Sequence, residues 1–382
     1  MKVAISNNYL CLPSSSMSKF FNLEDDVLSL GLGEPGFSTP DSIAKGGIRA
    51  IEQGNTFYSS SRGIPELRSR TSEYLQEYFR YHYLPNEICI TDGSSSGLDC
   101  ILRSILDPGD EVIIPAPYYE YYSLLTILNQ GKPVIIPTCS EDRWLLHPEK
   151  LKRAITSKTK ALIMNYPCNP TGVVGTADYF LGIAEIIRQT DIIIISDEIY
   201  AEIRYQPDYS SILHVEDMRE RTFMLSGYSK NMAMTGWRLG YFCAPLQLME
   251  PAARIYETVH LCPSSISQQA ALEGLKSGRL AIDTMIEAYK QRLVYALDRV
   301  HKLGWKCNPP GGTFYLWADI TSSGKDASTL TQELITHSKV ALVPGTVYGK
   351  MYSDYVRISF SKPVEYLREA FDRIELYLNR NS

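Results

Sequence analysis

A chain of 382 residues, 44% hydrophobic and 21% charged, has material for a sizeable core and for about two domains of ordinary size. Its net charge of −5 comes without any cluster of Lys and Arg, which excludes a surface built to neutralise nucleic-acid phosphates. No apolar run approaches bilayer-spanning length, the start MKVAISNNYLCLPSSSM is a poor signal peptide, and the eight cysteines lack CxxC or Cys/His ligand spacing; a cytoplasmic protein with free thiols and no metal site is expected.

From about residue 41, short β-rich runs alternate with helical patterns. The runs are EICIT, EVIIP, PVIIP, KALIMNY, DIIIISDE, RTFMLS and LGYFCA, with helical periodicity between them in stretches such as SGLDCILRSIL and FLGIAEIIRQT. Strands apolar throughout and alternating with helices predict a mostly parallel sheet covered on both faces, in a large α/β unit over residues 41–277. The chain then turns helical and charged over residues 280–303. After the punctuation GWKCNPPGG come TFYLWADI, a helical DASTLTQELITHS, VALVPG, YVRISF and a last amphipathic helix. These make a smaller α+β unit over residues 278–382, completed by residues 1–40, with a cleft between the two units.

In an open parallel sheet, ligands bind beyond the carboxyl ends of the strands, so the residues just after each run carry the argument. EICIT runs into DGSSSGLD, where Ser94 and Ser95 open a helix that can hold a phosphate or simply be capped by serine. EVIIP leads to APYYEYY, whose Tyr118 and Tyr119 can stack on a flat ligand or only pack. KALIMNY leads to PCNPTG, a rigid turn offering Asn169. DIIIIS ends in DEIY: Asp197, at the mouth of a central strand, either caps the next helix or needs a positive partner such as a protonated heteroaromatic nitrogen, with Tyr200 close by. RTFMLS leads to GYSKNMAMTGWR, where Lys230 sits in apolar surroundings that lower an amine's pKa, and Arg238 offers a fork suited to phosphate.

Together these residues resemble the pyridoxal-phosphate-dependent aminotransferases of fold type I, class I and II, over nearly the whole chain. The most specific piece is the lysine signature GYSKNMAMTGWRLG, residues 227–240, set in the ordered series GEPGF, YSSSRGIPELR, DGSSSGLD, PCNPTG, SDEIY and YVRIS. The resemblance implies a large domain with a seven-stranded, mostly parallel sheet beside a smaller domain. It implies pyridoxal 5′-phosphate held by Lys230 as an internal aldimine, with Asp197 on the pyridine N–H and Asn169 and Tyr200 on the phenolic oxygen. It further implies Tyr118 stacked on the ring with Ile199 near the other face, and the phosphate on Ser94, Ser95 and Arg238. Tyr58 would reach a phosphate in the partner subunit of a homodimer, Arg357 would clamp the substrate α-carboxylate, and Gly33 would line that site.

The implied activity moves the amino group of an L-amino acid to a 2-oxo acid, a place in amino-acid metabolism and biosynthesis. Lys230, freed by substrate, would move the proton from Cα while Asp197 keeps the ring an electron sink. Two departures from the family matter. Gly227 stands where many relatives have a Ser or Thr for the phosphate, leaving Ser94, Ser95, Ser226 or Ser229 to replace it. Ser95 stands where some aspartate-using relatives have a Lys, which disfavours a dicarboxylic substrate, while Tyr118, Tyr119, Tyr121 and Tyr122 point to an aromatic or other bulky neutral side chain. The alternatives are a β-lyase on the same scaffold, sharing Lys230, Asp197 and Arg238, and a cofactor-sensing regulator, for which no basic helix-turn-helix segment precedes Asp41.

Overall fold

The computed structural model describes residues 6, 10–15, 22–206 and 209–380; the remainder of the N-terminal segment assigned to the smaller unit lies outside the described residues. A two-residue strand, β1 (Leu28–Ser29), comes first. The seven apolar runs follow as β2 (Ile88–Thr91), β3 (Glu111–Ala116), β4 (Lys132–Pro137), β5 (Thr159–Asn165), β6 (Ile193–Asp197), β7 (Thr222–Gly227) and β8 (Gly240–Cys243). They form one sheet in the order β2-β8-β7-β6-β5-β3-β4, as expected. The pairs β3/β4, β3/β5, β5/β6 and β6/β7 are parallel, and β8 runs antiparallel to both β7 and β2.

The Ile-rich sequences of the inner strands suit burial on both faces, because β-branched side chains pack well on a pleated surface. β2 and β7 are buried at every position. On one face, Leu98, Ile101 and Leu102 of the helix Ser94–Ile105 meet Phe223, Leu225 and Phe242 of the sheet. On the other, Phe180, Ile183 and Ile187 of the helix Ala177–Ile187 cover Leu162, Met164 and Ile194. Asn165 and Asp197 are register partners at the carboxyl ends of β5 and β6, so the parallel ladder itself sets the expected Asp197 beside Asn165, whose amide donates to the Asp197 carbonyl at 3.0 Å.

The C-terminal elements follow the expected order: the helix Arg279–Lys302, then β9 (Tyr315–Asp319), the short helix Ala327–Glu333, β10 (Val340–Ala341), β11 (Val343–Pro344), β12 (Tyr355–Ser359) and the helix Val364–Arg380. Strands β11, β12 and β9 form an antiparallel sheet in which Arg357 lies between Val343 and Trp317. β1 pairs in parallel with β10 through Leu28–Val340 and Ser29–Ala341, which ties the N-terminal segment to the C-terminal part of the chain. Among the described residues no helix is long and apolar enough to cross a membrane.

Candidate active site

A cavity of about 580 Å³ opens at the carboxyl end of the large sheet, and its walls bring together Ser94, Ser95, Asn169, Asp197, Tyr200, Lys230, Arg238, Arg357 and Gly33. These residues come from six separate stretches of sequence. Asp197 ends β6, Ser94 and Ser95 open the helix after β2, Asn169, Tyr200 and Lys230 lie on the segments after β5, β6 and β7, Arg238 stands just before β8, Arg357 lies within β12 and Gly33 follows β1.

Asp197 ends β6 and is 6% exposed. Burial pushes its carboxyl up to about 6, against the pull of the Tyr122 hydroxyl, which donates to Oδ2 at 2.7 Å, and of the Ile199 N–H, which donates to Oδ1 at 3.1 Å. A carboxylate there gains most from a cation placed directly on it. The folded value lies above that of a free carboxyl, so ionisation of Asp197 opposes folding: the penalty is absent below about pH 4 and complete above about pH 6, where it reaches about 3 kcal/mol. In the cofactor-free protein, Asp197→Asn is therefore expected to melt increasingly above wild type as pH rises from 4 to 6.5. A gap in Tm that stays constant over that range contradicts the assignment.

Lys230 leaves β7 on the turn after Gly227, and its amine donates to the Gly33 carbonyl at 2.6 Å. Burial lowers the amine to about 8; the charge of Glu34 opposes this, and Arg357 and Arg238 add to it. An amine with that affinity is free base for part of the time near neutrality, as a nucleophile or general base requires.

The helix Ser94–Ile105 begins without a side-chain cap, so its first N–H groups are available to an anion. Gly93 precedes it at φ 89°, and a Cβ there would stand 2.5 Å from Nη2 of Arg238. The arginine and the helix start thus close on one spot only because residue 93 is glycine. Arg238, itself in the left-handed region at φ 53°, is exposed and fixed by a bond from Nη1 to the Thr235 carbonyl at 3.0 Å. Of the serines that could replace the missing hydroxyl, Ser229 lines the cavity with Ser94 and Ser95, whereas Ser226 turns to the Glu198 carbonyl. Gly227 faces Gly240 across β7 and β8, and a Cβ on it would lie 2.9 Å from the Gly240 Cα. A hydroxyl-bearing residue at 227 therefore has no room unless the Gly240 main chain moves.

Arg357 is 2% exposed. Its Nη1 donates to Asn169 Oδ1 at 2.9 Å, its Nη2 donates to the Gly31 carbonyl, and Nε has no partner. The guanidinium lies 4.1 Å from the centroid of the Tyr315 ring, and the Tyr315 hydroxyl meets that of Tyr200 at 2.7 Å. A Cβ on Gly33 would strike the Tyr315 hydroxyl at 2.4 Å, so the N-terminal segment crosses the cavity here as bare backbone.

One expected residue is displaced. Tyr118 is not in the cavity wall: its N–H donates to the Tyr348 carbonyl at 3.2 Å, and its side chain packs against the apolar clusters on either side, one of which holds Trp317 and Tyr348. The next residue, Tyr119, faces the cavity instead, stacked on Tyr121 with centroids 5.0 Å apart. Tyr58 also stands outside the cavity of its own chain, 83% exposed beside Phe57 at 84%. Tyr122, Tyr315 and Glu34 are site residues that sequence reasoning missed. Tyr122 was one of four tyrosines in APYYEYY with nothing local to single it out, Tyr315 is one of 26 in the chain, and the Glu of GEPGF was quoted without a role.

The sequence matches the family model of class I and II aminotransferases over residues 25–374. A Bacillus subtilis protein named as an aminotransferase is 38% identical, with 96% of each chain covered. An aspartate aminotransferase of Pyrococcus abyssi is 36% identical over 98% of both chains. The crystal structure of an aromatic aminotransferase from Pyrococcus horikoshii OT3 superposes with a TM-score of 0.90 at 36% identity, covering 96% of this chain and 99% of the other. All three names are those of aminotransferases, and the two that specify a substrate differ.

Proposed function

Because this chain belongs to the class I and II aminotransferases, enzymes that transfer amino groups with pyridoxal phosphate, we propose that the cavity around Lys230 is where the cofactor and both substrates bind. The observation that carries this reading is the convergence of three opposed needs in one cavity: a buried Asp197 wanting a cation, a Lys230 amine lowered to about 8, and an Arg357 fork with a free Nε. The residues present fit the cofactor. Lys230 anchors it, Asp197 pairs with its ring nitrogen, Asn169 and Tyr200 hold its phenolic oxygen, and Tyr119 takes the stacking place first given to Tyr118. Ser94, Ser95, Ser229 and Arg238 take its phosphate, and Arg357 and the Gly33 segment take the substrate α-carboxylate.

Once bound, the cofactor supplies an electron sink for the charge left on the substrate α carbon. The chain supplies the rest: Arg357 orients the amino acid, the Lys230 amine takes the proton from Cα and would pass it to the cofactor carbon, and Asp197 keeps a proton on the ring nitrogen. Asp197→Asn is expected to fold but to lose about a hundredfold in turnover, since a neutral amide forfeits a charge-assisted bond worth about 3 kcal/mol. Turnover within threefold of wild type would remove the electron-sink role.

For the substrate we favour a neutral or aromatic amino acid. Among the described residues of the cavity wall the cations are Lys230, Arg238 and Arg357, each with another task, while Leu32, Tyr119, Tyr121 and Tyr315 offer apolar and aromatic surface. A panel of amino acids scanned for loss of the cofactor's near-visible band tests this; aspartate ranking above phenylalanine, tyrosine and leucine would overturn it.

The functional unit we propose is a cytoplasmic homodimer, with a cofactor-binding unit over residues 41–277 and a smaller unit of residues 1–40 and 278–382. The exposure of Tyr58 and Phe57 supports a partner at that surface. Mixing Lys230→Ala chains with Tyr58→Phe chains, each impaired alone, should give hybrids with one intact site and recovered activity. A fully active monomer is the result that defeats the dimer.

A further inference from the structure

Immediately behind Asp197 lies a second buried carboxylate. Glu198 is 3% exposed. Its Oε2 accepts from the hydroxyls of Tyr81 at 2.6 Å and Tyr209 at 2.7 Å, and its Oε1 accepts from Ser196 at 2.8 Å and Ser211 at 2.6 Å. All four are donors, which suits an acceptor-only carboxylate. The two tyrosine hydroxyls are pushed far above their usual range by burial, so they stay protonated and donating. Ser211 accepts the Leu213 N–H at 3.1 Å, leaving its own proton for Glu198.

Among the described residues no Lys, Arg or His lies within ion-pair distance of Glu198. The groups around the cage are accounted for otherwise. His214 lies tilted against Tyr81 with ring centroids 5.1 Å apart; its Nδ1 accepts from the Ser211 N–H and its Nε2 faces the Phe79 carbonyl at 2.8 Å. Arg204 lies over Tyr209, 5.0 Å from the ring centroid, and Tyr83 and Cys243 also feel the charge of Glu198. Glu202, in the adjoining turn, is paired with Arg279 at 2.5 Å. On the Asp197 side stand Tyr122 and Lys230.

Packing alone does not call for a charge at residue 198. Glutamine has the same shape, and hydroxyls that rotate could satisfy its amide. A buried charge with donors but no counter-ion is costly to keep and marks a place where the charge itself is used. We propose that Glu198 is a positioning residue of the active site, a fixed negative charge one residue beyond Asp197 that raises the proton affinity of the cofactor bound there. The inference rests on the reading that the cofactor binds against Asp197. The upward push of Glu198 on the proton affinity of Asp197 is the same field acting within the protein.

The test is a pH titration of the near-visible band of the bound cofactor in the holoenzyme. Removing one unit charge at the neighbouring residue, through an effective dielectric near 20, moves a proton affinity by on the order of one pH unit. Glu198→Gln should therefore lower the apparent pKa of the band by about one unit, because the protonated form loses a negative neighbour. Glu202→Gln, whose charge Arg279 already balances, should leave it in place. No displacement in a folded Glu198→Gln protein overturns the proposal, as does an equal displacement in both variants. Should Glu198→Gln fail to fold, the pair Tyr209→Phe and Ser211→Ala leaves the carboxylate with two donors and favours its protonation; the band must then shift downward, and an unmoved band overturns the proposal. Failure of the underlying reading looks different: wild-type protein would carry no pH-dependent cofactor band at all.

Discussion

Lys230→Ala protein is expected to turn over amino acids about ten-thousand-fold more slowly than wild type while keeping its fold. The substitution removes a covalent anchor and a proton carrier at once, and a positioned general base alone is worth about 10²–10⁴. Stability should change little: the amine makes one hydrogen bond, to Gly33, and its burial lowers its proton affinity, so the charged form does not favour the fold. Two measurements check the assignment. Borohydride reduction of the wild-type holoenzyme followed by peptide mapping should place the pyridoxyl group on Lys230, and a label on Lys160 or Lys290 would be incompatible with it. Added small amines such as methylamine should restore part of the lost turnover in Lys230→Ala, because they can enter the vacated volume and carry the proton. Activity within tenfold of wild type without such rescue would mean that another base does the work.

Arg357→Ala should lower kcat/KM for amino acids by roughly two to three and a half orders of magnitude. Alternation along YVRISF suggests a guanidinium turned toward the cleft, and the side chain is buried against Tyr315 with Asn169 and the Gly31 carbonyl as its partners. Those partners fix its plane and leave Nε unpaired. Breaking a buried, charge-assisted carboxylate pair costs about 3–5 kcal/mol, and each 1.4 kcal/mol is tenfold in rate. Simple amines have no carboxylate and should react with the cofactor nearly as before. The decisive quantity is the ratio of the two losses: equal damage to amino acids and to their decarboxylated amines would show that Arg357 supports the site's shape rather than the carboxylate.

What sequence reading captured and missed follows from how each residue is specified. The seven strands were legible because central parallel strands are apolar without interruption, and the runs EVIIP, DIIIIS and RTFMLS have no other reading at that length. Asp197 and Lys230 were legible because a charge at or just beyond the end of such a run stands out against its neighbours, whereas Arg357 rested on the resemblance carried by YVRIS. The exchange of Tyr118 for Tyr119 was not legible, since the segment after β3 has no period from which to infer which tyrosine points inward. The Tyr118 N–H donates to the Tyr348 carbonyl, an acceptor far along the chain that no local pattern announces. Tyr122 and Glu198 belong to the same class. Their significance lies in contacts with Asp197, Tyr81, Tyr209 and Ser211 made only after the sheet has formed.

Gly227, Gly240 and the Gly93–Ser94 turn form one stack. A Cβ on residue 227 would meet the Gly240 Cα at 2.9 Å, and a Cβ on residue 240 would meet the Ser94 nitrogen at 2.6 Å. Backbone, unlike a side chain, has no alternative rotamer to retreat into. In mutational space the three positions are therefore locked together: a serine or alanine at residue 227 or 240 cannot be rescued by trimming any neighbouring side chain, because the obstruction is main chain. Variants selected from random libraries for tighter cofactor retention should leave these glycines untouched and collect at Ser229 and Thr235, whose side chains face open volume. A hydroxyl at residue 227 is closed to single substitutions, and an added one has to arise on another wall of the cavity.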